Sequence, residues 1–192
     1  MTTWFVSDNH FSHKNIRKFC PNTRQGADVD EMDRLMIRRW QEQVQPGDTV
    51  WTLGDVFFCN SEKSINILRQ LPGEIHHVWG NHDKVISSNA TLRNMFKSHH
   101  DYMELNMAEA KVVLFHFPIY EWNRMHHGAY HLFGHVHGGQ LIPGRALDVG
   151  IDGELSQGDM SLYSWEQVHR FLSKKEVRTH HGKMAGVDVH TW

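Results

Sequence analysis

The chain has 192 residues, of which 40% are hydrophobic, and its formal net charge is −2. This length is enough for one well-packed domain and short for two, so we predict a single domain over residues 1–192. Since the chain lacks a long Lys or Arg run, the broad basic surface of a dedicated nucleic-acid binder is excluded. A small basic patch beside the site is still compatible with this composition. No apolar stretch approaches membrane-spanning length and no signal-peptide pattern begins the chain, so we expect a cytoplasmic protein without membrane contact and with free thiols at Cys20 and Cys59.

Strands and helices alternate along the first half of the chain. The apolar run from Thr2 to Ser7 predicts the first strand, and a short helix is expected after His13. The clearest helix runs from Asp28 to about Gln43, because Asp28 can cap it and Glu31 stands three residues later. The later elements of this half are strands at 50–53 and 75–79, a helix starting near Ser61 and a helix from Val85 to Phe96.

The second half of the chain is rich in strands. Alternating residues between His99 and His116, with a turn near residues 108–110, predict a hairpin. Further strands are predicted at 130–133 and 145–151, followed by a closing helix from Trp165 to Leu172. The tail after Lys174 has little apolar periodicity and is predicted to be loosely held. This order fits an α/β fold in which two β-sheets form a sandwich with helices outside.

Metal-binding side chains recur just past the ends of the predicted strands, where open α/β sheets bind their ligands. They lie in five segments: Asp8-Asn9-His10, Gly54-Asp55, Gly80-Asn81-His82-Asp83, His116, and Gly134-His135-Val136-His137. Carboxylate and carboxamide oxygens suit hard cations and neutral imidazole suits borderline ones, so the mixed set indicates transition metals. Residues two apart on an extended segment, such as Asp8 and His10, point the same way. The five segments together predict one two-metal site.

The residues of these segments, and their order along the chain, resemble the conserved blocks of the calcineurin-like metallophosphoesterase superfamily. Its blocks run Asp-x-His, Gly-Asp, Gly-Asn-His-Asp/Glu, His and Gly-His-x-His, and all five are present here between Asp8 and His137. The sequences of three stretches further resemble a small bacterial and phage branch of the superfamily: Ser7 to His13, Val50 to Asp55 and His116 to Ile119. The superfamily resemblance implies a four-layer αββα sandwich of two β-sheets flanked by helices.

The resemblance also implies a division of seven ligands between two metal ions. Asp8, His10 and His137 would bind one ion, Asn81, His116 and His135 would bind the other, and Asp55 would bridge the two. We expect two divalent transition-metal ions, with Mn²⁺ favoured and Fe, Zn, Ni and Co as alternatives. One carboxylate can bridge because it has two oxygens.

The reaction implied by the resemblance is hydrolysis of a phosphoester, for which a nucleotide is one candidate. A hydroxide bridging the two ions would attack phosphorus, and His82 would give a proton to the departing oxygen. Asp83, the next residue, is a candidate to orient His82. A phosphodiesterase is slightly favoured over a phosphomonoesterase. The alternatives are a nuclease of the same superfamily and a catalytically silent interaction scaffold, but a silent scaffold would be expected to lack catalytic residues that are present here.

Three residues outside the five segments are candidates for contact with substrate. His13 could reach a phosphate oxygen or cap the helix that follows it. Arg24 could offer its guanidinium to phosphate, with an ordinary exposed arginine as the favoured alternative. Arg124 could line one wall of the site with Tyr120, whereas Trp122 is expected in the core.

The chain has seventeen histidines, so many of them must be unrelated to the metal site. Adjacent residues on a strand point to opposite faces and cannot easily share a metal. Four adjacent pairs are therefore interpreted as surface or half-buried polar residues: His76-His77, His99-His100, His126-His127 and His180-His181.

Overall fold

Two β-sheets are present in the computed structural model, which describes residues 1–179. Their strands are β1 (Thr3–Val6), β2 (Thr49–Thr52), β3 (Glu74–Val78), β4 (Ser98–His100), β5 (Met103–Asn106), β6 (Lys111–Leu114), β7 (Tyr130–Phe133), β8 (Ala146–Asp148) and β9 (Tyr163–Ser164). The first sheet has the order β4-β3-β2-β1-β9 and is parallel except for β9. The second sheet has the order β5-β6-β7-β8 and is parallel except for the predicted β5–β6 hairpin, which is confirmed.

Most helices lie close to the predicted positions. They are α1 (Ile16–Phe19), α2 (Val29–Gln43), α3 (Ser61–Leu68), α4 (Lys84–Ser88), α5 (Ala90–Arg93) and α6 (Trp165–Leu172), with a 3-10 helix at Met125–His127. The predicted cap of α2 is confirmed, because the side chain of Asp28 accepts a hydrogen bond from the amide of Glu31 at 2.8 Å. The continuous helix predicted from Val85 to Phe96 is wrong. Asn89 leaves the helical conformation there and caps α5 through the amide of Leu92.

Apolar side chains alternate between the two faces of the first sheet. On the face towards the second sheet, Phe5 and Leu53 pack with Leu132 and Leu147, and α6 joins this core through Val168. The opposite face carries Val6, Val50 and Ile75, against which α2 and α3 pack in a second core. The largest buried side chains of α2 are Met32, Met36 and Trp40.

The outer face of the second sheet is covered by the 3-10 helix and loops. Trp122 and Met125 pack there on Val113 and Phe133. The core position expected for Trp122 is therefore confirmed. Two sheets packed face to face with flanking helices confirm the predicted fold class.

The two sheets join at the carboxyl ends of β1 and β8. The amide of Ser7 donates to the carbonyl of Val149 at 3.0 Å, and the amide of Ile151 donates to the carbonyl of Ser7 at 3.2 Å. The predicted strand at 145–151 is shorter than expected, because its last residues form this junction. All five metal-binding segments follow the carboxyl ends of strands, at the edge where the two sheets meet.

The first residues after Lys174 contact the rest of the fold. The Lys175 ammonium donates to the carbonyl of Ala146 at 2.8 Å, and Arg145 donates to the carbonyl of Lys175 at 3.1 Å. The rest of the tail predicted to be loose, with the pair His180-His181, lies outside the described residues. Within residues 1–179, none of the helices combines the length and the apolar character needed to cross a bilayer. The single-domain prediction stays a prediction.

Candidate metal centre

Two groups of ligand side chains converge at the carboxyl edge of the sheets. The atoms of Asp8, His10 and His137 lie within 4.8 Å of one another, and so do those of Asp55, His116 and His135. Asp55 Oδ2 connects the groups, at 3.8 Å from His10 Nε2 and 3.6 Å from His116 Nε2. Asn81 Oδ1 lies 3.0 Å from His116 Nε2. The fold thus brings together all seven residues that the sequence nominates as ligands, although ligation itself stays a prediction.

Hydrogen bonds at Nδ1 orient two of these imidazoles. Nδ1 of His116 is 2.6 Å from the carbonyl oxygen of Leu53, and Nδ1 of His137 is 2.8 Å from Asp152 Oδ2. Each Nδ1 is therefore a donor nitrogen, so that in the neutral ring the lone pair is on Nε2, which faces a carboxylate. Metal-binding histidines typically have such a partner on the second nitrogen.

Buried atoms without hydrogen-bond partners show that the site suits a cation. Within residues 1–179, Asp8 Oδ1 and His10 Nε2 are buried and make no hydrogen bond. An unsatisfied buried polar atom costs about 1–3 kcal/mol, so two adjacent ones are uncommon unless something else binds them. Burial lowers the pKa of His10 and His135, which favours the neutral imidazole that binds metals. Burial raises the pKa of Asp8, but the neighbouring imidazoles of His10, whose Nε2 is 3.4 Å from Asp8 Oδ1, and of His116 and His137 outweigh this effect and hold that pKa below its usual value. The residues present therefore fit divalent transition metals.

The backbone is strained at most of the candidate ligands. Five of the seven have positive φ angles, between 49° and 71°: Asp8, His10, Asp55, His135 and His137. Non-glycine residues in this region cost about 1–2 kcal/mol each. Such strain persists only where the surrounding structure determines it, and it clusters at functional sites.

Two glycines allow the ligand segments to approach each other. A Cβ atom at Gly134 would overlap Ser7 Oγ and Asp8 Oδ2, and one at Gly80 would overlap Asp55 Oδ1. The space that a Cβ atom at Gly134 would fill is occupied by the Asp8 carboxylate, and the amide of the next residue, His135, donates to Asp8 Oδ2 at 2.8 Å. Close packing against the neighbouring ligand segments thus requires glycine at both positions.

Asp83 has a different role from the one expected. Its carboxylate accepts hydrogen bonds from the amides of Asp55, Val56 and Gly80 at 2.7–3.0 Å, and it pairs with His77 Nε2 at 3.2 Å. No hydrogen bond to the His82 ring is present in the described part of the chain. Asp83 therefore fixes two ligand segments to each other and does not orient His82.

His77 is fully buried, which corrects its interpretation as a surface or half-buried residue. Its Nδ1 lies 2.8 Å from Thr52 Oγ1, on the neighbouring strand, and its Nε2 faces Asp83. The other members of these pairs within the described residues are half-buried or exposed. An alternating strand pattern could have suggested that one residue of each pair points inwards.

Arg24 is neither exposed nor available to a substrate. Its side chain is fully buried, and it donates to Asp152 at 2.6 Å and to the carbonyl oxygens of Asp8 and Asn9 at 2.6 and 2.7 Å. Both interpretations made from the sequence are therefore wrong. Arg24 binds the backbone of the first ligand segment and the carboxylate that orients His137.

Asp148 and Asp152 are parts of the site that the sequence analysis missed. Burial raises the pKa of Asp148 to about 6, with the nearby Asp8 adding to the effect, and its carboxylate accepts from the amides of Gly138 and Gly150. Both acids flank the end of β8, in the same strand-end position as the recognised segments. The position of these two acids at the end of a strand was the sequence signal that could have identified them as parts of the site.

His82 lies beside a cavity that adjoins the first ligand group. Its amide donates to Asp55 Oδ1 at 2.8 Å, and its ring is 5.0 Å from the ring of Phe58. His13 also lines this cavity, where burial lowers its pKa to about 4, and its Nδ1 is 3.3 Å from His10 Nδ1. Its side chain does not cap α1.

Arg124 is exposed and does not line the cavity beside His82. The ring of Tyr120, which was expected to share a wall with it, instead lies under the guanidinium of Arg178. A contact between Arg124 and substrate stays a prediction. Cys20 and Cys59 are both free thiols, as predicted.

The chain is similar to proteins of archaea, phages and bacteria. It is 39% identical over 83 residues to an uncharacterized protein of Methanocaldococcus jannaschii, a match that covers 42% of this chain and 46% of that protein, less than half of its length. It is 26% identical over 181 residues to the Gene 66 protein of Mycobacterium phage L5, covering 78% of this chain and 86% of the phage protein. The sequence matches no family model.

Among solved structures, a protein of unknown function from Aquifex aeolicus shares the fold. It superposes with a TM-score of 0.68 at 22% identity, over 88% of this chain and 98% of that one. This chain therefore combines a two-sheet α/β fold with the five ordered blocks of the calcineurin-like metallophosphoesterase superfamily that its sequence resembles.

Proposed function

We propose that this protein is a metal-dependent phosphoester hydrolase with two divalent ions, of which Mn²⁺ is favoured. The observation that supports this most is the convergence of seven candidate oxygen and nitrogen ligands around buried atoms that lack hydrogen-bond partners. A site that only stored metal would not need the imidazole of His82 beside the ligands. Phosphodiester hydrolysis is slightly favoured over monoester hydrolysis.

The ligand residues would divide between the ions as the resemblance implies, with Asp8, His10 and His137 at one, Asn81, His116 and His135 at the other, and Asp55 shared. Bound there, divalent ions activate water and neutralise charge on phosphate oxygens. The protein itself orients the site. Asp152 accepts the Nδ1 hydrogen of His137, and the Leu53 carbonyl accepts that of His116, so that the Nε2 atom of each ring faces its own group of candidate ligands.

His82 is the proposed proton donor to the departing oxygen. The hydrogen bond from its amide to Asp55 fixes its backbone relative to the carboxylate shared by both groups. Its ring lies edge-on to that of His10 at 6.3 Å between centroids and faces the cavity. An imidazole suits this role because its ordinary pKa lies near neutral pH.

A nuclease of the same superfamily and a catalytically silent scaffold remain the alternatives. A scaffold would not need a histidine fixed to the bridging carboxylate, because it transfers no proton. A nuclease would need cations along the path of the next phosphates. The proposed function is therefore tested on small esters first.

Hydrolysis of 4-nitrophenyl phosphate and bis(4-nitrophenyl) phosphate would be measured with added Mn²⁺, before and after treatment with a chelator. Release of nitrophenol that is lost on chelation and restored by metal is the expected result. No hydrolysis with Mn²⁺, Fe²⁺, Zn²⁺, Ni²⁺ or Co²⁺ would refute the proposal.

The role of His82 is tested with His82→Ala. This variant should keep its metal content and lose about 10²- to 10⁴-fold in turnover, the usual contribution of general acid–base catalysis. His127→Ala is the matched control, since His127 is exposed and outside the site, and it should retain wild-type turnover. Equal turnover of the two variants would remove His82 from the mechanism.

A further inference from the structure

A cavity of about 520 Å³ extends from the candidate metal centre to the surface beside α1. His82 and two candidate ligands contribute to its wall, so it begins where the proposed reaction takes place. Its volume is within the range of about 300–1,000 Å³ that is usual for small-molecule sites. The rest of its wall includes Ile16, Phe19, Phe58 and Val136.

The wall of this cavity carries no charged side chain outside the histidines. Among the described residues that line it there is no Lys, Arg, Asp or Glu. The nearest buried ion pair, Arg24 with Asp152, is fully engaged in hydrogen bonds of its own. Apart from the candidate metal centre at its inner end, the cavity offers no cation to an anionic group, which would lose water there at a cost.

Two phenylalanines give the cavity an aromatic character. The Phe58 ring stacks on the rings of His10 and His13, with centroids 4.5 and 4.2 Å away. Phe19, in α1, lines the cavity and yet is 72% exposed, the largest exposure of any phenylalanine described. Aromatic rings that lie exposed beside an apolar cleft are a common feature of sites that bind flat, apolar groups.

We infer that this cavity binds the leaving group of the phosphoester, and that this group is an uncharged ring system such as an aryl or nucleoside ring. The inference depends on the proposed function, because His82 identifies the leaving-group side. In hydrolysis, water adds to phosphorus, the ester P–O bond breaks, and the departing oxygen takes a proton. A donor must lie within hydrogen-bond reach of that oxygen, so the rest of the leaving group extends from His82 into the cavity.

The inference is tested with three aryl phosphates whose leaving phenols are of similar acidity: phenyl, 2-naphthyl and 4-carboxyphenyl phosphate. Each is used as the monoester and as its methyl diester, so that the preference for monoester or diester does not decide the result. The wild type should hydrolyse the naphthyl ester with kcat/KM about tenfold higher than the phenyl ester, because the second ring is buried. It should hydrolyse the carboxyphenyl ester more slowly than the phenyl ester.

Variants of Phe19 test whether the cavity causes this order. Phe19→Ala should reduce the naphthyl-to-phenyl ratio about threefold or more, and Phe19→Lys should raise kcat/KM for the carboxyphenyl ester relative to the phenyl ester. The exposure of Phe19 makes both changes compatible with folding. Leu141→Ala and Leu141→Lys are matched controls, because Leu141 is 69% exposed and does not line the cavity, and they should leave both ratios unchanged.

The two proposals fail in different ways. Hydrolysis of all three esters at similar kcat/KM, or preference for the carboxyphenyl ester by the wild type, would overturn the inference and leave the proposed function standing. Equal ratios in the Phe19 and Leu141 variants would likewise overturn it. No hydrolysis of any ester with any of the metals would instead refute the proposed function.

Discussion

The pair formed by Arg24 and Asp152 offers a strong test of the interior of the site. Both side chains are almost fully buried, and their closest atoms are 2.6 Å apart. Arg24→Met keeps an unbranched side chain of similar length but removes the charge. It leaves the Asp152 carboxylate without its cation, and removing one partner of a buried pair typically costs about 3–5 kcal/mol. We expect a loss of this size in the free energy of unfolding.

A double-mutant cycle separates this pair from its surroundings. Asp152→Asn should also destabilise the fold, because the guanidinium then lacks a counter-charge. The double variant should lose less than the sum of the two single losses, by about 2 kcal/mol, since its two sites are in direct contact. The free energies of unfolding of the wild type, the two single variants and the double variant are measured by urea unfolding, with tryptophan fluorescence as the signal. A chelator is present throughout, so that bound metal does not contribute.

The same variants test the structural role of Arg24. Arg38→Met is the control, because Arg38 is exposed on α2, and it should change stability by less than about 0.5 kcal/mol. If Arg24→Met lost as little stability as the Arg38→Met control, or if the effects of the two single substitutions were additive in the cycle, the reasoning would be refuted. Asp152→Asn should in addition weaken metal binding about 10- to 100-fold, measured by metal titration, because Asp152 orients His137.

Three further predictions follow from single contacts. Gly134→Ala should abolish or strongly weaken metal binding, measured by metal content after dialysis, because its Cβ would overlap Ser7 and Asp8; wild-type metal content would contradict this. Asp83→Ala should lower the unfolding free energy by about 3 kcal/mol or more in urea unfolding, because two buried amides and one half-buried amide lose their acceptor; a loss below 1 kcal/mol would contradict it. Burial lowers the pKa of His131 to about 4, so the unfolded chain binds the proton first, and stability should fall by up to about 3 kcal/mol as the pH drops from about 6.5 to about 4; His131→Asn should show a smaller loss between pH 7 and pH 5, and an equal loss would exclude His131 as its source.

The sequence was sufficient to place the ligand segments because two local patterns agreed there. Apolar runs identified the strands, and ligand residues followed the end of each one. Parallel strands in one sheet share their carboxyl edge, so Asp8 and Asp55, which follow the neighbouring strands β1 and β2, could be expected to lie close together. The contact between Asp8 and His135, 127 residues apart, in addition joins the two sheets.

The sequence did not reveal the residues that support the ligands, because each of them depends on one distant partner. Arg24 and Asp152 are 128 residues apart, and an arginine is ordinarily exposed, so composition indicated the surface. Asp83 likewise accepts from the amides of Asp55 and Val56, which precede it by 28 and 27 residues. The break at Asn89 was missed on different grounds: apolar spacing continued through it, while the side chain of Asn89 caps a second helix.

The position of the site at the junction of the two sheets has a consequence for folding. Each group of candidate ligands draws on both sheets: Asp8 and His10 with His137, and Asp55 with His116 and His135. A bound cation would therefore act as a cross-link that closes loops of roughly 60 to 130 residues, as a long-range disulfide does. In the chain-entropy view such closures are worth about 4–5 kcal/mol each. Metal loading would then raise the cooperativity of unfolding, and a metal-free chain would be the state in which the sheets can separate first.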